Sequence, residues 1–246
     1  MIERLDRTSI FKLNKTFAAF ILEEQDAIYN PSHDYNKYEP EEMIVHGAEA
    51  PTLITQAMCD QWNKDRYEDF LKKKDHFETA PIKDKHTGSA VYHLPRAATA
   101  TSYFENLANA VSELADRLQW KSVLFLLNYS IPWLHQDNDY EPVKKALDHL
   151  KRLGVDENFT GGFKASGPEL KEFVKNLSWI IRCNASLPTC CFSGIDTDFS
   201  ASICQYGNLH FHFYSESCQR QINEATKDLG MMEVEDGNCT PYFSED

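Results

Sequence analysis

The chain has no long hydrophobic run: purely aliphatic and aromatic stretches such as Phe17–Leu22 and Val123–Leu127 stop after six and five residues. Roughly 20 such residues are needed to cross a bilayer, so no membrane partner is expected. It also lacks a basic stripe, although 25 Lys and Arg stand among its 246 residues. The one basic run, Lys72-Lys73-Lys74, is bounded by Asp69 and Asp75 and reads as a solvated helix end. Nucleic acid is therefore not an expected partner, because displacing phosphate counterions needs clustered positive charge. Met1–Arg7 has no apolar core followed by a small-residue cleavage site, so the expected location is cytoplasmic. No C-x-x-C occurs, which argues against a zinc ribbon or thioredoxin-like site. H-E-x-x-H, G-x-S-x-G, EF-hand and P-loop patterns are missing as well.

What is present is globular: 42% hydrophobic and 12% aromatic residues, enough to bury a core without disulfides or metal. Six of the seven cysteines fall between Cys183 and Cys239, an odd and unpatterned set expected to stay reduced. Six N-x-S/T sequons occur, at Asn14, Asn128, Asn158, Asn176, Asn184 and Asn238. Asn128 and Asn176 lie in segments that should pack, so the set reads as composition. The net charge of -13 is unevenly placed. Residues Asn184 to Asp246 hold ten acidic side chains against only Arg220 and Lys227. Such a surface admits a basic protein partner.

Apolar periodicity organises the chain as α+β, with a helical N-terminal and central part and a C-terminal antiparallel β-meander followed by a helix. One apolar stripe predicts a helix over Thr8–Tyr29, and a second helix is expected to start near Pro51. Ser89–Leu94 reads as a short strand, Tyr103–Leu118 as a helix, and Ser122–Tyr129 as a buried strand. Pro142 opens another helix that Gly154 closes, and Ser166-Gly167-Pro168-Glu169 has capping-box spacing before the next. From Leu187 the period becomes two. Strands are expected over Thr189–Ile195, Phe199–Gln205 and Leu209–Tyr214, then a helix to Leu229, then a hairpin of Met231–Val234 with Thr240–Phe243. Residues 1–246 read as a single α+β domain with a weak boundary near 155–166.

The central hairpin can be assigned a register. A three-residue loop 206–208 pairs Cys204 with His210, Ser202 with His212 and Ser200 with Tyr214. One face becomes wholly apolar (Ile203, Phe211, Phe213) and the other polar, whereas a one-residue slip would mix them. Cys204, His210 and His212 then share a face near the acidic turn Asp196/Asp198. Alternate strand residues converge, so His210 and His212 with Asp196, Asp198 or a thiolate form a candidate metal set. Cys204 beside His210 is a candidate thiol site. The plain expectation is an ordinary polar sheet face, with no cofactor.

Gly161, Gly162 and Lys164, ahead of a helix, form a candidate anion-binding loop whose plain alternative is a linker. The carboxylate pairs Glu23/Glu24 and Glu41/Glu42 read as helix surface, and the aromatic loop Tyr35–Tyr38 beside His33 as a packed turn. Two functions follow from these readings. One is a binding or regulatory protein of inhibitor or immunity type, with an acidic C-terminal region that meets a basic protein. The other is a small-molecule hydrolase or metal-dependent enzyme using the Cys204/His210/His212 face.

Overall fold

The computed structural model describes residues 1–33, 37–40, 44–45, 52–78, 86–134, 138–184, 187, 189–235 and 238–244. In chain order the elements are β1 (Ile2–Leu5), α1 (Arg7–Leu13), α2 (Lys15–Tyr29), β2 (Ile44–Val45), β3 (Thr52–Leu53) and α3 (Gln56–Lys73). They continue with β4 (Gly88–His93), α4 (Ala100–Arg117), β5 (Val123–Leu127), α5 (Glu141–Arg152), β6 (Gly162–Ala165) and α6 (Pro168–Arg182). The last are β7 (Cys190–Gly194), β8 (Phe199–Ile203), β9 (Leu209–Phe213), α7 (Glu216–Asp228) and β10 (Met232–Glu233). Eight strands form one sheet in the order β1-β6-β5-β7-β8-β9-β4-β10. Every neighbouring pair in it is antiparallel. The fold is α+β with a C-terminal meander.

The sheet is covered on both faces, and β5 shows why its five residues are all apolar. Phe125 faces a core built with α4, α5, α6 and α7, while Leu124 and Leu126 face α1 and α2. All three are fully buried. Each such side chain contributes roughly 1.5–3 kcal/mol of transfer free energy. A strand buried on both faces has no polar alternation to display.

The stripe over Thr8–Tyr29 is two helices rather than one. Asn14 breaks it by ending α1 and capping α2, its Oδ1 accepting from the Phe17 N–H at 2.8 Å. The Asn14 amide then donates to the Gly194 and Thr197 carbonyls at 2.8 and 3.0 Å. A buried side chain so placed fixes both helices to the β7–β8 turn. α3 begins at Gln56, where the Thr55 hydroxyl caps it, and Pro51 lies outside the described residues.

The segment read as a glycine loop is in fact a strand. Residues Gly162–Ala165 are β6, inserted between β1 and β5 in the stretch where a weak boundary was expected. Its glycines answer to close approach: a Cβ on Gly161 would run into the Leu5 carbonyl oxygen, and one on Gly162 into that of Phe125. The capping box before α6 does not form. Gly167 is the cap, with φ +65°, and the Ser166 N–H donates instead to the Met1 carbonyl at 2.8 Å.

The expected terminal hairpin is also replaced. β10 pairs with β4, setting Met232 opposite His93, while Phe243 bridges to Ala97. Phe243 is buried against Tyr103 and Phe104, with ring centroids 5.1 and 5.4 Å away. Burying that ring in the core outweighs a few hydrogen bonds of an isolated two-stranded hairpin, which is marginal in water.

Candidate functional site

β8 and β9 carry the face on which the candidate residues converge. Their register sets Phe199 opposite Phe213, Ser200 opposite His212, Ala201 opposite Phe211, and Ser202 opposite His210. This differs by two residues from the register read in the sequence. The cause is the turn: the loop is 205–207, closed by Gly207 N–H to the Cys204 carbonyl at 2.8 Å and Cys204 N–H to the Asn208 carbonyl at 3.0 Å. Gly207, at φ +75°, takes the left-handed position of the loop. A slip of two keeps every side chain on its face. Ile203, Phe211 and Phe213 are accordingly buried, and Ser202, His210 and His212 lie on the opposite side, half-buried.

Cys204, at the mouth of the turn, is a diagonal neighbour of His210. The C-terminal segment brings a third group to them. Cys239 Sγ lies 3.1 Å from His210 Nε2, and the donor atoms of Cys204, His210 and Cys239 all lie within 4.8 Å of one another. The segment is held there by the Ala97 N–H donating to the Tyr242 carbonyl at 2.9 Å, and by Tyr242 and Phe243 themselves. Asn208, fully buried at the far end of the same turn, has neither amide atom hydrogen-bonded among the described residues.

Beside this cluster is a cavity of about 430 Å³. Ser202, Cys204, His210 and His212 form its sheet wall, Glu24 of α2 faces them, and Asn184 stands near the end of α6. Burial raises the Glu24 carboxyl above the usual carboxylate range, with the Glu23 charge adding to the effect. Burial lowers His210, and lowers His212 with help from His86 and His210, so both imidazoles are neutral near pH 7. The His212 ring packs between Phe20 and His86, at centroid distances of 5.1 and 5.9 Å. Burial pushes the Cys204 thiol up to about 11, which disfavours it as a free nucleophile. Neutral imidazole beside two thiols is suited to soft-metal ligation or to a Cys239–His210 proton exchange.

The remaining candidates stand elsewhere. Asp196 and Asp198 belong to the β7–β8 turn, at the opposite end of β8 from Cys204. A five-residue strand places those ends about 17 Å apart. Gly162 and Lys164 are in β6, and the Lys164 ammonium pairs with Glu3 at 3.4 Å. Of the aromatic loop, Tyr35 is outside the described residues, while Tyr38 packs on Trp62 at 5.4 Å. Glu24, expected on the helix surface, lies four residues beyond buried Phe20 and three beyond buried Ile21. That i+3/i+4 spacing marks the packed side of α2. Cys239 carries no comparable local signal, because the contact depends on where Phe243 anchors. Comparison with family models, with curated proteins and with solved structures finds no match to this chain.

Proposed function

We propose that the protein is a hydrolase acting on a small polar molecule held in the cavity on the β8–β9 face, within a single domain of residues 1–246. The observation that carries this reading is the cavity itself, which sets Glu24 on one wall against His210 and His212 on the other. A carboxylate and neutral imidazoles facing one volume are the groups that general acid–base hydrolysis uses. The raised Glu24 carboxyl suits a base that must also release its proton. Purified protein should turn over at least one of three probe classes: activated esters, amides or phosphate esters. Glu24→Gln and His212→Gln should each lower kcat by about 10²–10⁴-fold, while Lys145→Ala on the outer face of α5 should not. Absence of turnover in all three classes, or turnover insensitive to both substitutions, would sink the reading.

The acidic excess of residues 184–246 supports a second reading, a binding protein for a basic partner. Asp196, Asp198, Glu216, Glu224, Asp228, Glu233 and Glu235 are all exposed. A partner recovered from lysate at low salt and lost at high salt would favour it, since surface charge pairing is screened.

A further inference from the structure

We infer that Cys204, His210 and Cys239 bind one zinc ion, with a fourth coordination position open to the cavity. This goes beyond the hydrolase reading and does not need it, since a zinc site stands whether or not the cavity turns anything over. Two thiolates and an imidazole are soft and borderline ligands that suit Zn²⁺ and fit Mg²⁺ or Ca²⁺ poorly. Tetrahedral zinc, with bonds of about 2.3 Å to sulfur and 2.0 Å to nitrogen, sets its ligand atoms about 3.5–3.8 Å apart. Here Cys239 Sγ and His210 Nε2 are 3.1 Å apart and no pair exceeds 4.8 Å, so closure around an ion asks for movements of about an ångström.

Each ligand is held by a different device. The 204–208 turn hydrogen bonds fix the Cys204 backbone, the β8–β9 and β4–β9 ladders fix His210, and the Tyr242–Phe243 anchor positions Cys239. Three ligands from two adjacent strands and a distant tail are not produced by local sequence, which is why no spacing motif announces them. Cys204 and His210 both line the cavity, whereas Cys239 approaches from the tail. Three protein ligands with an open position are the pattern of zinc sites that keep a water, and structural sites close the fourth position.

The test uses the full chain, stripped with a chelator and titrated with Zn²⁺ against a chromophoric competitor. One equivalent should bind, releasing protons from the two thiols. Cys204→Ser, His210→Ala and Cys239→Ser should each weaken binding by about 100-fold or more, while Cys218→Ser should leave it unchanged. Circular dichroism checks folding. Because Cys239 lies in the tail, its variant keeps the test valid if a strand variant fails to fold. Co²⁺ in place of zinc should give the intense visible bands of tetrahedral thiolate coordination, lost in Cys239→Ser. In wild type, zinc should shield Cys204 and Cys239 from iodoacetamide while Cys218 still reacts. Substoichiometric binding, binding that survives in the triple variant, or unshielded alkylation of Cys239 would overturn the inference. Zinc binding without any turnover would uphold it and sink the hydrolase reading; turnover by a protein that takes up no zinc would do the reverse.

Discussion

The Tyr242 ring lies flat on the His93 imidazole, with centroids 3.5 Å apart and planes 4° from parallel. Those rings join the last described turn of the chain to β4, the strand beside β9. Next to Tyr242, Phe243 enters the core, and Cys239 reaches His210 three residues upstream. The tail is thus a strap over one end of the sheet, and the geometry of the candidate site depends on it.

Phe243→Ala should therefore cost about 3–5 kcal/mol, the usual result of emptying a buried Phe site. Tyr242→Ala should cost about 1 kcal/mol, as expected for one stacked aromatic pair. Urea unfolding measures both, and amide exchange across 238–244 should accelerate in each. A Phe243→Ala variant within about 0.5 kcal/mol of wild type, the range of plain surface changes, would show that the strap is not anchored as described.

Asn14 is the second device that carries long-range order. Its side chain accepts one bond at the start of α2 and donates to two carbonyls of the β7–β8 turn, all within a buried setting. Asn14→Ala loses a helix cap and removes the amide donor from both carbonyls, of which Gly194 keeps the Thr197 hydroxyl at 2.9 Å, together about 2–4 kcal/mol. Asn14→Asp keeps the cap but cannot donate, so it should recover little. If Asn14→Asp proves as stable as wild type, the bonds to Gly194 and Thr197 are not the important ones.

Much of the fold was legible because its large elements are periodic. The limits of β5, α7 and the β7–β8–β9 meander follow from apolar spacing and turn residues within a residue or two, and those of α4 within three. β1 and β6 were not, since strands of four residues containing Arg4, Glu3, Gly162 and Lys164 show little alternation and are defined by pairing partners far away in sequence. In the site, the face shared by Cys204, His210 and His212 was readable, because a two-residue slip preserves side-chain direction. Glu24 was readable in principle from its spacing to Phe20. Cys239 was not, because its position is set by burial of Phe243 about 140 residues from the α4 rings it meets, and no local pattern encodes that contact.

A buried ion pair tests the packing of α1 against the segment after α3. Arg7 grips Asp75 with Nε and Nη2 at 2.6–2.8 Å, and both side chains are about a tenth exposed, at 8% and 11%. Gln25 completes the set, donating to Asp75 Oδ2 at 2.7 Å and accepting from the Asp75 N–H at 2.9 Å. Arg7→Met should cost about 3–5 kcal/mol because it strands a buried carboxylate. Adding Asp75→Leu should restore part of that loss, giving a coupling of about 1–3 kcal/mol in a double-mutant cycle. Strict additivity would mean the two groups act independently.

Acid stability depends in part on His149, in the final turn of α5. Burial lowers its affinity for a proton; the nearby Glu172 charge opposes this and Arg152 adds to it. Its Nε2 is buried with no hydrogen-bond partner among the described residues, so protonating it in place would bury an uncompensated charge. The folded-state pKa thus lies below the unfolded value of about 6.5. Between those two values the unfolded chain binds more protons than the folded one, so stability rises with pH across that window. Above about pH 6.5 both states hold neutral imidazole and the His149 contribution is fully present; it is lost as pH falls through the folded value. The urea midpoint of wild type should fall as pH drops from 7 toward 5, and His149→Leu should show a shallower fall over the same range. A variant whose midpoint follows the wild-type curve in parallel would show that His149 is not one of the groups that set acid stability.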